Sequence, residues 1–357
     1  MPAGILPVEL LEEIFTKLPV KSLISLTIIC KSWLALISSQ SFAKTHLSRY
    51  HLNPDTHLLL LHRPGLRTVT ISTLNFSIPV TSRIKVPVSH QAHTKSQGLM
   101  FKLAGSINGL VCLSRPIFKP TEVVIWNPAT HRFREIMVPQ LNLRNYTTYV
   151  AFGYDCVRDD YKIVCASNIS EMSYRFRMYS CNDDSWKELK HGFDFQLGFP
   201  TSCEVVKGNP FWIGLDGDMK EILLYVDVEC EVIRVYSGPD YVNDETTYTS
   251  IMALEDKAAQ IVYSLSAETN YLIKVYALEE SSGVWTLMYS TESMGLQMGL
   301  QVPVLFSCYR NGKFVMEGKH EGMEMIKEEA ANEAGQETAL AANDRNTSDS
   351  MMVERIE

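Results

Sequence analysis

GLVCLSRPIFKPTEVVIWNPATHRF, residues 109–133, holds two short apolar runs divided by a Pro-containing break, then an Asn-Pro turn that leads to Phe133. Runs of this length, rich in Val and Ile and bounded by Gly, Pro and Asn, read as strands. The first run, GLVCL (109–113), returns as YKIVCAS (161–167), PFWIGLD (210–216), AQIVYSLS (259–266) and GKFVME (312–317). The second, EVVIWNP, returns as RFRMYSC, EILLYVD and YLIKVYA, and so sets an aromatic residue at Trp126, Tyr179, Tyr225 and Tyr276. A strand ahead of each pair recurs in VAFGYD, TSCEVV, TSIMALED and VLFSCYR. A fourth, partly edged by aromatics, recurs at 131–133, 185–187, 232–234 and 284–286.

Four strands repeating at a step of about 50 residues is the kelch-like period of a β-propeller. One four-stranded blade cannot bury both of its faces, so blades stack around an axis and share their cores. Four complete units lie over residues 98–291, and a fifth begins at 303, supplies two strands and loses its pattern near Met323. The early hairpin HLLLLHRPGLRTVTIST, residues 57–73, is expected to supply the missing pair and close the ring. The count is five blades, with six as the alternative. Trp126, Trp186 and Trp285 occupy related repeat positions and are expected to pack within or between blades.

Upstream of the repeats the period changes. Leu10, Leu11, Ile14, Phe15 and Leu18 recur at steps of three and four, which marks one face of a helix. Pro7 suits a first helical turn, and Pro19 stops that helix and lets the chain restart. A second apolar series, Val20, Leu23, Ile24, Leu26 and Ile28, and a third, Trp33, Leu36 and Ile37, follow. So short a unit rarely folds alone, since below about 40 residues too little surface is buried. Its spare apolar face must meet the rest of the chain, as a helical cap, or another protein. DNA binding is the poorest fit, because Lys17, Lys21, Lys31, Lys44 and Arg49 are scattered, offset by Glu9, Glu12 and Glu13, and form no stripe.

Residues 6–47, LPVELLEEIFTKLPVKSLISLTIICKSWLALISSQSFAKTHL, resemble the F-box over the whole length of that motif, from the opening Leu-Pro through Leu18-Pro19-Val20 to Cys30-Lys31-Ser32-Trp33. The resemblance implies a three-helix module that docks onto the Skp-type linker subunit of SCF-type cullin–RING ubiquitin ligases. Carried over by position, Leu6, Pro7, Leu10, Ile14, Pro19, Val20 and Leu23 face that subunit, while Trp33 and Ile37 fix the helices to one another. Thr27-Ile28-Ile29 departs from the pattern, being apolar where many relatives carry a polar residue. The repeat region resembles the F-box-associated domain of plant F-box proteins, through 105–112 (GSINGLVC), 126–130 (WNPAT), 152–155 (FGYD) and 182–186 (NDDSW). The chain is thus expected to be mainly β, with an F-box over 1–48, an F-box-associated kelch-like β-propeller over 57–318, and an acidic tail over 319–357. That tail holds no Phe, Trp or Tyr and is expected to be disordered and outside the propeller.

Composition limits the function. The chain has 357 residues with a formal charge of −8, and residues 319–357 contribute ten Asp/Glu against four Lys/Arg. The remainder is nearly neutral and shows no bias toward nucleic acid or an anionic membrane. No apolar run approaches the length of about 18 residues that spans a bilayer. The eight Cys include no Cys-x-x-Cys pair and read as reduced thiols of a cytoplasmic or nuclear protein. There is no Gly-x-Gly-x-x-Gly, P-loop or Gly-x-Ser-x-Gly. His90 and His93 lack a ligand companion, and Asp216-Gly217-Asp218 lacks the later Glu of a calcium loop and reads as a turn. No cofactor, metal, nucleic acid or membrane is expected. The expected function is a non-catalytic substrate receptor of the ligase, with a linker-binding scaffold or a propeller enzyme as alternatives. Loops at 115–121, 168–174, 191–200, 238–248 and 292–302 are the candidates for target contact.

Overall fold

The computed structural model describes residues 7–50, 102–115, 121–141, 146–170, 172–197, 203–241, 247–254, 256–265 and 271–294, and strands at 57–62, 70–75, 82–85, 305–309, 313–317, 323–327 and 352–355. Four helices come first: α1 (Val8–Phe15), α2 (Val20–Leu26), α3 (Lys31–Ile37) and α4 (Gln40–Tyr50). The first three match the expected helices. α4 is additional, and it starts where the Ser39 hydroxyl accepts the Phe42 N–H at 3.2 Å and so caps the new turn. Its apolar period is weak, which is why the sequence pattern did not expose it.

Six antiparallel sheets are formed among the described residues. The first contains β1 (His57–His62), β2 (Thr70–Asn75) and β3 (Ser82–Lys85). The second is β4 (Lys102–Ile107), β5 (Leu110–Arg115), β6 (Glu122–Trp126) and β7 (Phe133–Met137). The third is β8 (Thr148–Asp155), β9 (Asp160–Ser170), β10 (Ser173–Ser180) and β11 (Ser185–Leu189). The fourth has β12 (Gln196–Leu197) and β13 (Cys203–Val206) sharing one edge of β14 (Asn209–Leu215), then β15 (Glu221–Asp227) and β16 (Val232–Ser237). The fifth is β17 (Thr247–Leu254), β18 (Lys257–Leu265), β19 (Tyr271–Glu279) and β20 (Val284–Met294), and the sixth is β21 (Leu305–Tyr309), β22 (Lys313–Glu317) and β23 (Met323–Lys327). β24 (Met352–Arg355) returns to the first sheet and pairs with β1 from Leu58↔Arg355 to Leu61↔Met352. Leading strands neighbour one another in the order β4, β8, β13, β17, β21, β24 and back to β4, so the ring is closed.

The ring has six blades, the expected alternative to five: the early hairpin does not complete the fifth repeat unit but builds a sheet of its own with β3 and β24. Nor does the whole of 319–357 lie outside the sheets, since Met323–Lys327 and Met352–Arg355 are strands. Both are short segments with apolar residues and no aromatic, a pattern that composition averaged over the acidic stretch conceals.

The cores lie between blades, and the two-residue period of a strand delivers side chains to both neighbours. On β15, Ile222, Leu224 and Val226 join Phe176, Met178 and Trp212 in the core shared with the third blade. Leu223 and Tyr225, between them, join Phe211, Ile251 and Leu278 in the core shared with the fifth. Trp126 is fully buried in the second blade, and the Trp285 indole crosses between blades, donating to the Ser237 carbonyl at 2.6 Å.

Meander connectivity sorts the turns. The β8–β9 and β10–β11 turns lie at one face of the ring, and the β9–β10 and β11–β12 connections lie at the other. At the first face Lys207 and Gly208 link β13 to β14, with Gly208 at φ +81°. Its carbonyl accepts the Tyr154 N–H of the neighbouring blade at 2.8 Å. A Cβ there would stand 2.2 Å from the Tyr154 carbonyl oxygen. Gly208→Ala therefore meets both a left-handed backbone and a clash with main chain. It is expected to lower stability by more than about 1 kcal/mol, measured by urea denaturation. An unchanged midpoint would show that the two blades are not held this closely.

Candidate functional site

The helical unit has its own small core. Phe15, Leu23 and Phe42 are buried, with Leu11, Leu18, Leu26, Trp33, Leu36 and Ile37 packed around them. The Phe15 and Trp33 rings meet edge to face at 4.9 Å. His46 on α4 reaches back to the Leu18 carbonyl at 2.9 Å, and Arg49 donates to the Thr16 hydroxyl at 3.0 Å. α4 thus closes the unit against the end of α1.

Against this core the expected linker-facing residues separate. Leu6 lies outside the described residues. Pro7 and Pro19 are exposed at the positions preceding α1 and α2. Leu10 and Ile14 are each 46% exposed, and their spacing with Pro7 places all three along one side of α1. Val20 is half-buried. Leu23 does not belong with them: only 4% exposed, it is a central member of the core. The apolar series of α2 cannot distinguish an inward from an outward position, and packing by Phe42 from the unforeseen α4 decides it. Trp33 and Ile37 hold the helices together, as expected. Ile28 at 86%, Ile29 and Leu34 add exposed apolar side chains that were not placed among the docking residues. The departure at Thr27-Ile28-Ile29 was the available sign.

The unit touches the propeller through Asp159, in the turn between β8 and β9. Lys44 of α4 forms an ion pair with Asp159 Oδ2 at 2.9 Å, and the Gln40 amide donates to the same oxygen. The Tyr154 hydroxyl donates to Oδ1 at 2.5 Å. Asp159 itself holds the left-handed conformation, at φ 53°. The Tyr154 hydrogen bond, with the Lys44 contact, keeps its carboxyl below the ordinary aspartate range. Nothing in the local sequence marks Asp159, since no local pattern reveals a partner more than a hundred residues away.

Nearby, a cleft of about 370 Å³ is lined by Arg158, Asp160, Lys162, Asn182, Glu229 and Glu231 among others. Lys162 and Asp160 are buried and paired at 2.5 Å, and Asp160 also accepts the Ser180 hydroxyl at 2.6 Å and the Asn182 N–H at 2.9 Å. This cluster closes on itself. Among the described residues no group of three His, Cys, Asp or Glu is placed to hold a metal ion, and no helix is long and apolar enough to cross a membrane.

Residues 66–353 match the F-box associated beta propeller domain, which takes in most of the chain and extends into β24. The chain belongs to that family. Residues 5–45 match the F-box domain, so the helical unit is an F-box and the ring is its associated propeller. Among similar proteins of Arabidopsis thaliana, F-box/WD-40 repeat-containing protein 1 is 28% identical over 59% of this chain and 49% of its own length. F-box protein CPR1 is 28% identical over 52% and 45%, and F-box protein At3g08750 is 30% identical over 58% and 53%. The chain thus spans about half the length of these curated relatives.

Because the folded Asp159 carboxyl titrates below its unfolded value of about 3.9, its contact with α4 is fully present above that value and is lost as pH falls from there through the lowered folded value. The F-box is expected to sit against the propeller at neutral pH and to loosen below about pH 4. Asp159→Asn removes the charge at every pH and should loosen it at pH 7 as well. Small-angle scattering of both proteins across pH reads this, and superimposable wild-type and variant profiles at pH 7 would remove Asp159 as the joint.

Proposed function

We propose that this chain is the substrate-recognition subunit of an SCF-type cullin–RING ubiquitin ligase, acting in the cytoplasm or nucleus. The observation that carries the reading is an F-box that holds its own core yet leaves Leu10, Ile14, Ile28 and Leu34 exposed, joined to a separate propeller. Apolar side chains left on the surface of so small a unit are what a protein partner buries. Pro7, Leu10, Ile14, Pro19 and Val20 form the proposed contact with the Skp-type linker, with Leu6 ahead of them in the sequence. Leu23 supports that surface from beneath.

The propeller then presents a target. α4 meets the face that carries the β8–β9 turn. The connections β5–β6, β9–β10, β11–β12, β16–β17 and β20–β21, to which all five candidate loops belong, leave the strands at the opposite face. We assign target recognition to that opposite face. The chain makes and breaks no bond itself. It holds target and ligase together and raises their local concentration.

Leu10→Asp with Ile14→Asp should abolish co-purification with the linker while the melting temperature stays near wild type. Charging an interface anchor costs more than about 2 kcal/mol, or roughly 30-fold in affinity. Leu23→Ala should instead cost the F-box about 2–5 kcal/mol of folding stability, as deletion of a core leucine does. Undiminished linker binding by the double variant would overturn the assigned docking face.

The same double variant separates a receptor from a scaffold. Proteins captured by the full chain under proteasome inhibition should still be captured by the variant, and the half-life of at least one should lengthen when it is expressed. If the turnover of every captured protein is unchanged, linker binding would stand and the degradation role would fall.

A further inference from the structure

Arg177 of β10 is the unexplained charge of this propeller. It is only 8% exposed, and burial pushes its pKa down. The other buried charges among the described residues have opposite partners: Lys162 has Asp160 at 2.5 Å, and Asp155 has Arg158 at 2.7 Å. Arg177 has none. Its Nη1 donates to the Pro139 carbonyl at 2.6 Å, while its Nε and Nη2 are buried with no hydrogen-bond partner. The carboxylate across the ladder, Glu188, is exposed and faces Arg175 at 3.5 Å.

The geometry of what is left free is informative. Nε and Nη2 form one edge of the guanidinium plane, the pair of parallel donors that matches two oxygens of a carboxylate or phosphate. The bond to Pro139 occupies the remaining nitrogen and fixes the plane. Pro139 follows β7, so the side chain spans from the third blade to the second at the ring face opposite α4. On the same side of the third blade, two residues along the ladder, lie Thr148 and Ser167, buried and joined hydroxyl to hydroxyl at 3.0 Å. A buried guanidinium without a counter-charge destabilises a fold that an apolar side chain of the same volume would serve better. Its presence is accounted for if the counter-charge arrives with a ligand.

We propose that Arg177 is an oxyanion receptor at the seam between the second and third blades, and that its ligand is a carboxylate or phosphate group on a peptide of the recruited protein. The peptide source rests on the adaptor function proposed above. The oxyanion site does not, and linker binding tests that function separately.

The test is the melting temperature of the full chain, titrated with inorganic phosphate and, separately, with acetate at constant ionic strength. A saturable rise of a few degrees is expected with one ion, because a ligand bound only by the folded state stabilises it. A response to phosphate assigns a phosphorylated side chain, and a response to acetate assigns a carboxylate. Arg177→Met and Arg177→Gln should abolish the rise and, without ion, melt at or above the wild-type temperature. Arg177→Lys, which keeps the charge and loses the two-donor edge, should lose most of it. The exposed Arg134→Gln should respond as wild type does. No saturable rise with either ion, an equal rise in Arg177→Met, or a large drop in the ion-free melting temperature of both neutral variants would overturn the proposal. That last result would make the guanidinium a strut between blades.

Discussion

Among the described residues, the second to fifth blades carry buried apolar side chains on both faces, and neighbouring blades cover them. That constraint governs the architecture. On β15, alternate residues serve two different cores, so the strand has no solvent face to give up. A row of such blades would still leave an uncovered face at each end. Closure removes both ends, and the chain achieves it by pairing β24, from its C-terminal region, with β1. The first blade is therefore built from both ends of the repeat region, and opening the ring requires loss of that ladder.

The same arrangement divides the surface. Turns at one face are tight and cross-bonded: Gly208 accepts from Tyr154, and Asp159 reaches α4. The F-box is attached there. Longer connections occur at the other face, away from the attachment, where they are free to vary without disturbing the interblade cores. Buried charge follows the division as well. Asp155 with Arg158 and Asp160 with Lys162 are self-contained pairs at the attachment face. Arg177, bound to Pro139 at the other, is left with two donors unspent.

The F-box meets a different constraint, since a few short helices must hold together and still offer apolar surface. α1 resolves this by splitting its residues. Phe15 and Leu11 turn inward, while Leu10 and Ile14 stay out. α4 lets the split work by adding Phe42 to the core, which draws Leu23 in with it.

Strand identity was legible from sequence because it is local. The β-branched runs and the turn residues between them placed strands of the second to sixth blades, and the helical period with Pro7 and Pro19 placed α1 and α2. Repetition and one-blade physics implied a ring. What sequence could not decide was set by contacts between distant residues. The blade count turned on whether β1 would pair within the last repeat or with a strand near the C-terminus. The side on which Leu23 lies turned on a helix with too weak a period to announce itself. Asp159 is one turn aspartate among several until α4 arrives, and Arg177 reads as an ordinary strand arginine until the blades close over it. Sequence by itself determined which segments become strands and helices and that they repeat, because backbone preference and side-chain period act over a few residues. Tertiary structure alone decided which faces stay exposed and which charges stay unpaired, because burial belongs to the assembled ring.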